Sequence, residues 1–89
     1  MSTRADRVSL NWDGFDHEGY RYMTQGVANV NGRRKVQVHV FEQNEDGHYC
    51  FEHNVYVPVP GNTVTTNKDK LISLVWQRIR ELTEDNYAA

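Results

Sequence analysis

Apolar and polar residues alternate over most of the stretch from Tyr20 to Val57, then recur at helical spacing toward the C-terminus. That switch of period marks strands followed by an amphipathic helix. The sharpest local signal is Val30-Asn31-Gly32-Arg33. Asn-Gly tolerates the positive φ angles of a type I′ turn, so the segment predicts a β-hairpin with arms over Tyr20–Val30 and Arg33–Glu42. A two-residue loop puts Val27 opposite Val36, Gln25 opposite Val38 and Met23 opposite Val40.

Gln43-Asn44-Glu45-Asp46-Gly47 reads as a second turn, and His48–Val57 as a third strand rich in aromatic and β-branched residues. With a two- or four-residue loop ending at Gly47, Tyr49, Phe51, His53, Val55 and Val57 join the face of Val36, Val38 and Val40. A three- or five-residue bulged loop reverses that parity; the unbulged loop is the expectation. Upstream, Val8, Leu10 and Trp12 alternate with Ser9 and Asn11 over a short strand, ended by Asp13-Gly14 and a polar loop through Gly19.

Pro58 and Pro60 cannot donate to a ladder, so the sheet ends there and Gly61–Thr66 forms a crossing loop. Ile72, Val75, Trp76, Ile79 and Leu82 then predict a helix from Lys68 to Asp85, with Thr66 or Asn67 as N-cap. The expected fold is α+β: a four-stranded antiparallel β-meander in the order 1-2-3-4, with one C-terminal amphipathic helix packed on the valine face. Met1–Arg7 and Tyr87–Ala89 read as frayed tails of a single domain.

Composition narrows the classes. The chain has 89 residues, 38% hydrophobic and 25% charged, which suits one small folded domain rather than two cores or a disordered segment. A formal net charge of −2 gives no global basic field to drive nucleic-acid binding. Cys50 is the sole cysteine, so no internal disulfide framework exists, and a reducing, cytoplasmic setting is the expectation. No apolar run approaches the length of a membrane span, and the first residues lack the apolar core of a signal peptide.

Three constellations carry possible chemistry. His48, Cys50 and His53 are zinc-ligand types, but strand alternation puts His53 opposite the other two and no fourth ligand stands at a standard spacing. Asp13, Asp16, His17 and Glu18 form an acidic loop too short for an EF-hand pattern, which favours a solvated turn. No nucleophile-base set or phosphate-cradling glycine loop occurs, so neither a catalytic residue, a metal nor a cofactor is expected.

The third constellation is the sheet face opposite the helix. The register places Tyr22, Thr24, Lys35, Gln37, His39, Phe41, His48, Glu52 and Tyr56 there, with Gly26 near the middle. Aromatic rings among polar groups suit a protein-binding patch or a stacking platform for unpaired bases. Arg33, Arg34 and Lys35 cluster at the hairpin tip, where they can touch phosphates or keep the edge soluble; Glu42, Glu45, Asp46 and Glu52 oppose a phosphate backbone. Leu71, Leu74 and Trp76 widen the helix stripe enough to serve a homodimer or simply a twisted sheet.

The reading is a small non-catalytic protein-binding module. Its partner-binding residues are Tyr22, Thr24, Arg33, Arg34, Lys35, Gln37, His39, Phe41, Glu52 and Tyr56, in a monomer or homodimer. Size and the lack of motifs suit an accessory or inhibitor protein of the kind phages direct against host or defence proteins, anti-CRISPR-like in role. Single-stranded nucleic acid is the alternative ligand for the same face.

Overall fold

The computed structural model describes residues 7–59 and 63–88. In chain order the elements are β1 (Arg7–Ser9), β2 (Gly14–His17), β3 (Tyr20–Val30), β4 (Arg33–Gln43), β5 (Tyr49–Pro58), β6 (Thr65–Asn67) and α1 (Lys68–Ala88). Strands β2-β3-β4-β5 form a four-stranded antiparallel meander, and β1 pairs with β6 in a separate two-stranded ribbon. The α+β class, the meander and the single C-terminal helix are as the sequence predicts.

The first strand of the meander is a correction. It is Gly14–His17, read above as loop, and it pairs Phe15 with Tyr22 and Asp16 with Arg21. Glu18 and Gly19 close this hairpin at φ 50° and 83°, the twist a two-residue turn between paired strands requires. The segment expected to be that strand goes elsewhere. Val8 and Leu10 are buried, but they are held by β6, where Val8 lies opposite Thr66, and by Leu10 N–H donating to Val64 C=O at 2.7 Å. Trp12 does not continue the alternation: its φ is 62° and it is 74% exposed.

Asn67 is the N-cap of α1, its Oδ1 accepting the N–H groups of Asp69 (2.8 Å) and Lys70 (3.3 Å), which have no partner within the first turn. The helix runs to Ala88, past the expected end at Asp85. Positions 1–6, 60–62 and 89 lie outside the described residues, and with them most of the expected tails and part of the crossing loop. Leu71, Val75 and Ile79 recur every four residues on one line of α1 and are buried against Val36, Val38, Val40, Val55 and Val57. Removing each such side chain from water stabilises the fold by about 1.5–3 kcal/mol. Leu71 is fully buried, while Leu74 and Trp76 pack partly against the core, so the wide stripe is used within this chain.

Two bulges decide which residues face the helix. In β3, Thr24 lies opposite Val38 and Val27 opposite Val36, so Gln25 and Gly26 together span what Gln37 spans alone. Gly26 sits at φ +100°, a conformation open to glycine and strained for other residues. Val27 keeps its expected partner, but the register before the bulge is offset by one. Tyr22, not Met23, lies opposite Val40, and Met23 lies opposite His39.

Tyr22 and Thr24 were therefore assigned to the wrong face. Tyr22 is 1% exposed and Thr24 0%, both on the covered side of the sheet, Tyr22 against α1 and Thr24 against the segment from Ser9 to Asp13. The Tyr22 ring stacks on Phe15 (centroids 5.0 Å apart, 14° between planes), and its hydroxyl accepts the Trp76 indole N–H at 2.7 Å. Trp76 meets Tyr20 and His53 edge-on, at 4.9 and 5.9 Å, which completes an aromatic cluster between sheet and helix. Thr24 is a buried polar residue with its needs met: its Oγ1 accepts Asp13 N–H at 2.8 Å and lies 3.0 Å from the Ser9 carbonyl, to which it donates.

The second bulge lies in β5. The β4–β5 connection is the bulged alternative, with Asn44 N–H donating to His48 C=O at 2.8 Å across Glu45-Asp46-Gly47. That three-residue loop reverses the parity of the first half of β5, pairing Tyr49 with Gln43 and position 51 with Phe41. Glu52 is then the extra residue, since Val40 lies opposite His53. The two irregularities cancel, so Val55 and Val57 face the core as expected while Tyr49 does not.

Candidate binding face

The helix covers one side of the meander; the other side is the candidate face. Alternation along β4 places Lys35, Gln37, His39 and Phe41 on it, and the ladder adds Tyr56, Asn54 and Tyr49 from β5 and Arg21 and Met23 from β3. Of the residues selected from sequence, Lys35, Gln37, His39, Phe41 and Tyr56 thus lie together, with Tyr56 44% exposed. Arg33 shares their parity at the tip, whereas Arg34 alternates to the helix side of β4. Glu52 stands at the bulge with its carboxylate 3.6 Å from His53 Nε2, and Tyr22 and Thr24 are absent from the face altogether.

In their place the bulge in β3 delivers Arg21 and Met23, which sequence reasoning missed. Arg21 is held in two ways. Its guanidinium donates to Asp16 Oδ1 (2.7 Å) and Oδ2 (3.2 Å) across the β2–β3 pair, and its Cζ stands 4.1 Å from the centre of the Tyr49 ring. The hydrogen bond from Arg21 holds the Asp16 carboxyl below the usual carboxylate range, and the same bond pushes the Arg21 value up. Two shallow depressions of about 340 and 310 Å³ meet at this guanidinium. One is walled by Gly14, Asp16 and Met23; the other by Met23, Gln25, Phe41 and Tyr49.

The remaining polar groups fix the surface rather than open it. Gln37 Nε2 donates to Asn54 Oδ1 at 3.0 Å, and His39 and Phe41 lie ring to ring at 6.3 Å. A methyl group at Gly26 would stand 3.7 Å from Trp12 Nε1, in ordinary van der Waals contact, so the indole lies beside the bulge. The loop is anchored by Asn11 Oδ1, which accepts Val27 N–H at 3.2 Å just past the bulge. Gly26 in mid-strand was the available sign that the parity changes there.

Charge divides along the strands. The hairpin tip carries Arg33, Arg34 and Lys35, and the opposite end carries Glu18, Glu42, Glu45 and Asp46. The two ends are separated by the length of β4, about 35 Å for its 11 residues.

The other sequence candidates resolve into local structure. Asp13 accepts the backbone N–H groups of Gly14 (2.8 Å) and Ser9 (3.1 Å), a turn role. His53 packs on Trp76, and Cys50 is exposed with Asn44 Nδ2 3.7 Å from its sulfur. Among the described residues, no three His, Cys, Asp or Glu side chains gather as a metal-ligand group, and no helix is long and apolar enough to cross a membrane. Set against protein-family models, curated proteins and solved structures, the chain matches none of them.

Proposed function

We propose that this chain is a non-catalytic binding module that grips a protein partner through the sheet face opposite the helix. The observation that carries this is the composition of that face: Met23, Phe41 and Tyr49 surround an immobilised Arg21, and Tyr56 stands exposed farther along the same face, beside Gln37. Aromatic residues, Met and Arg are the types enriched where proteins bury surface against each other, and rigid sheet positions lose little entropy on docking. A small inhibitor or accessory role toward a host or defence protein suits a module that works by covering a surface.

Single-stranded nucleic acid is the weaker reading of the same face. Tyr22 is no longer available as a stacking ring, Arg21 is already neutralised by Asp16, and carboxylates crowd one end. Affinity capture from the encoding organism tests both, with wild type and a Phe41→Ala/Tyr56→Ala double variant as baits. A protein retained only by wild type and unaffected by nuclease supports the reading. Nuclease-sensitive recovery transfers it to nucleic acid, and equal recovery by two folded baits removes this face from consideration.

A further inference from the structure

We infer that the free sheet face is self-complementary and that a second copy of this chain docks on it, as a two-fold face-to-face dimer with strands running in opposite directions. This rests on the reading above, because it assigns a particular partner to the same face. A two-fold interface brings one patch against itself, so residue i meets j while j meets i. Few surfaces meet that condition, since a patch of one charge repels its copy.

Here the condition is met along β4. A two-fold axis lying in the interface and crossing β4 at Val38, the midpoint of Arg33–Gln43, exchanges positions that sum to 76. Lys35 then meets the partner's Phe41, a cation over an aromatic face; Gln37 meets the partner's His39; and Arg33 meets the turn that begins at Gln43 and carries Glu45 and Asp46. Both ends of the dimer repeat these contacts. Bulk is complementary as well. Next to Lys35 in the ladder stand Ala28 and Pro58, small residues, and these fall opposite the end bearing Arg21 and Phe41.

The area suffices for a reversible dimer. Eleven residues at 3.4 Å and three strands at 4.8 Å give about 500 Å² per protomer and about 1,000 Å² in total, the lower bound for a specific interface. Face-to-face packing of twisted sheets at about 30° accommodates the geometry. A weak dimer of this kind yields its surface to a tighter partner.

Charge reversal tests the arrangement in the full chain. Arg33→Glu/Lys35→Glu makes both ends acidic, and Glu45→Lys/Asp46→Lys makes both ends basic. Sedimentation equilibrium up to millimolar concentration should show wild type in monomer–dimer exchange and each variant alone weakened at least about tenfold, since like charges then face each other. Mixing the two variants should restore association, because every acidic end now meets a basic one. Wild type that stays monomeric overturns the inference, while retention of a host protein by that monomer leaves the wider reading standing. A dimer indifferent to both reversals places the interface elsewhere, and failure of the mixture to associate overturns the opposed-strand arrangement.

Discussion

Replacing Tyr22 and Met23 in turn distinguishes the bulged register from the uninterrupted one. Tyr22 is fully buried, stacked on Phe15 and bonded to Trp76. Truncating a buried aromatic to Ala costs about 3–5 kcal/mol. The total available to a chain of this length is about 4–13 kcal/mol, so Tyr22→Ala should be unfolded or barely folded. At about 4–8 °C per kcal/mol, its Tm should fall by at least about 12 °C. Tyr22→Phe keeps the stack on Phe15 and removes only the acceptor of the indole N–H, a loss of about 1 kcal/mol or slightly more. Met23 lies half-buried across the strand from Gly14, on the face away from the helix, and Met23→Ala should cost about 1 kcal/mol. Thermal unfolding followed by circular dichroism, with Trp76 fluorescence as a local probe, gives the order Tyr22→Ala, then Tyr22→Phe and Met23→Ala together. A Met23→Ala variant less stable than Tyr22→Ala would refute the bulge, because an unbroken ladder exchanges the two side chains.

Four further outcomes follow from the same geometry. Thr24→Val keeps the shape but leaves Asp13 N–H without its acceptor, so urea unfolding should show a loss of about 1–3 kcal/mol at unchanged slope, largely avoided by Thr24→Ser. Gly26→Ala has room for its methyl beside Trp12, yet φ +100° strains it, so a loss of about 1–3 kcal/mol is expected; a neutral result would deny the positive φ. Burial pushes the Tyr22 phenol up, so stability present at neutral pH should be lost as pH rises beyond about 10, and absorbance should show one of the five tyrosines ionising last, together with unfolding. Asp16 has the opposite sign: its value is lowered chiefly by Arg21, so the small stabilisation of this solvent-screened pair is present above about pH 4 and disappears as pH falls through the folded value, a shift that carboxyl NMR titration detects and Arg21→Gln reduces.

The candidate face was legible in part for a physical reason. Lys35, Gln37, His39 and Phe41 lie on β4, the one long strand without an extra residue, and their parity follows directly from the Asn31-Gly32 turn. Tyr56 falls on the same face because two irregularities before it cancel. Tyr22 and Thr24 are separated from that turn by a bulge, and Tyr49 by a bulged loop on one side and the Glu52 bulge on the other. Arg21 was invisible as a site residue because its partners, Asp16 and Tyr49, come from two other strands.

The amino-acid pattern by itself determined the elements that depend on local chemistry: the Asn-Gly hairpin, the helix start at Asn67, the helical recurrence of Ile72, Val75, Trp76 and Ile79, and the chain-order meander, whereas packing buried Leu71 and left Leu82 exposed. Tertiary structure alone decided where a residue could be added to a strand without adding a position to its partner. Alternation has a period of two, and one extra residue exchanges every side chain beyond it while leaving the pattern equally regular. Packing breaks that tie: Tyr22 can stack on Phe15 and accept from Trp76 only if Gly26 takes up the extra residue, and the face left to the solvent is the one that remains.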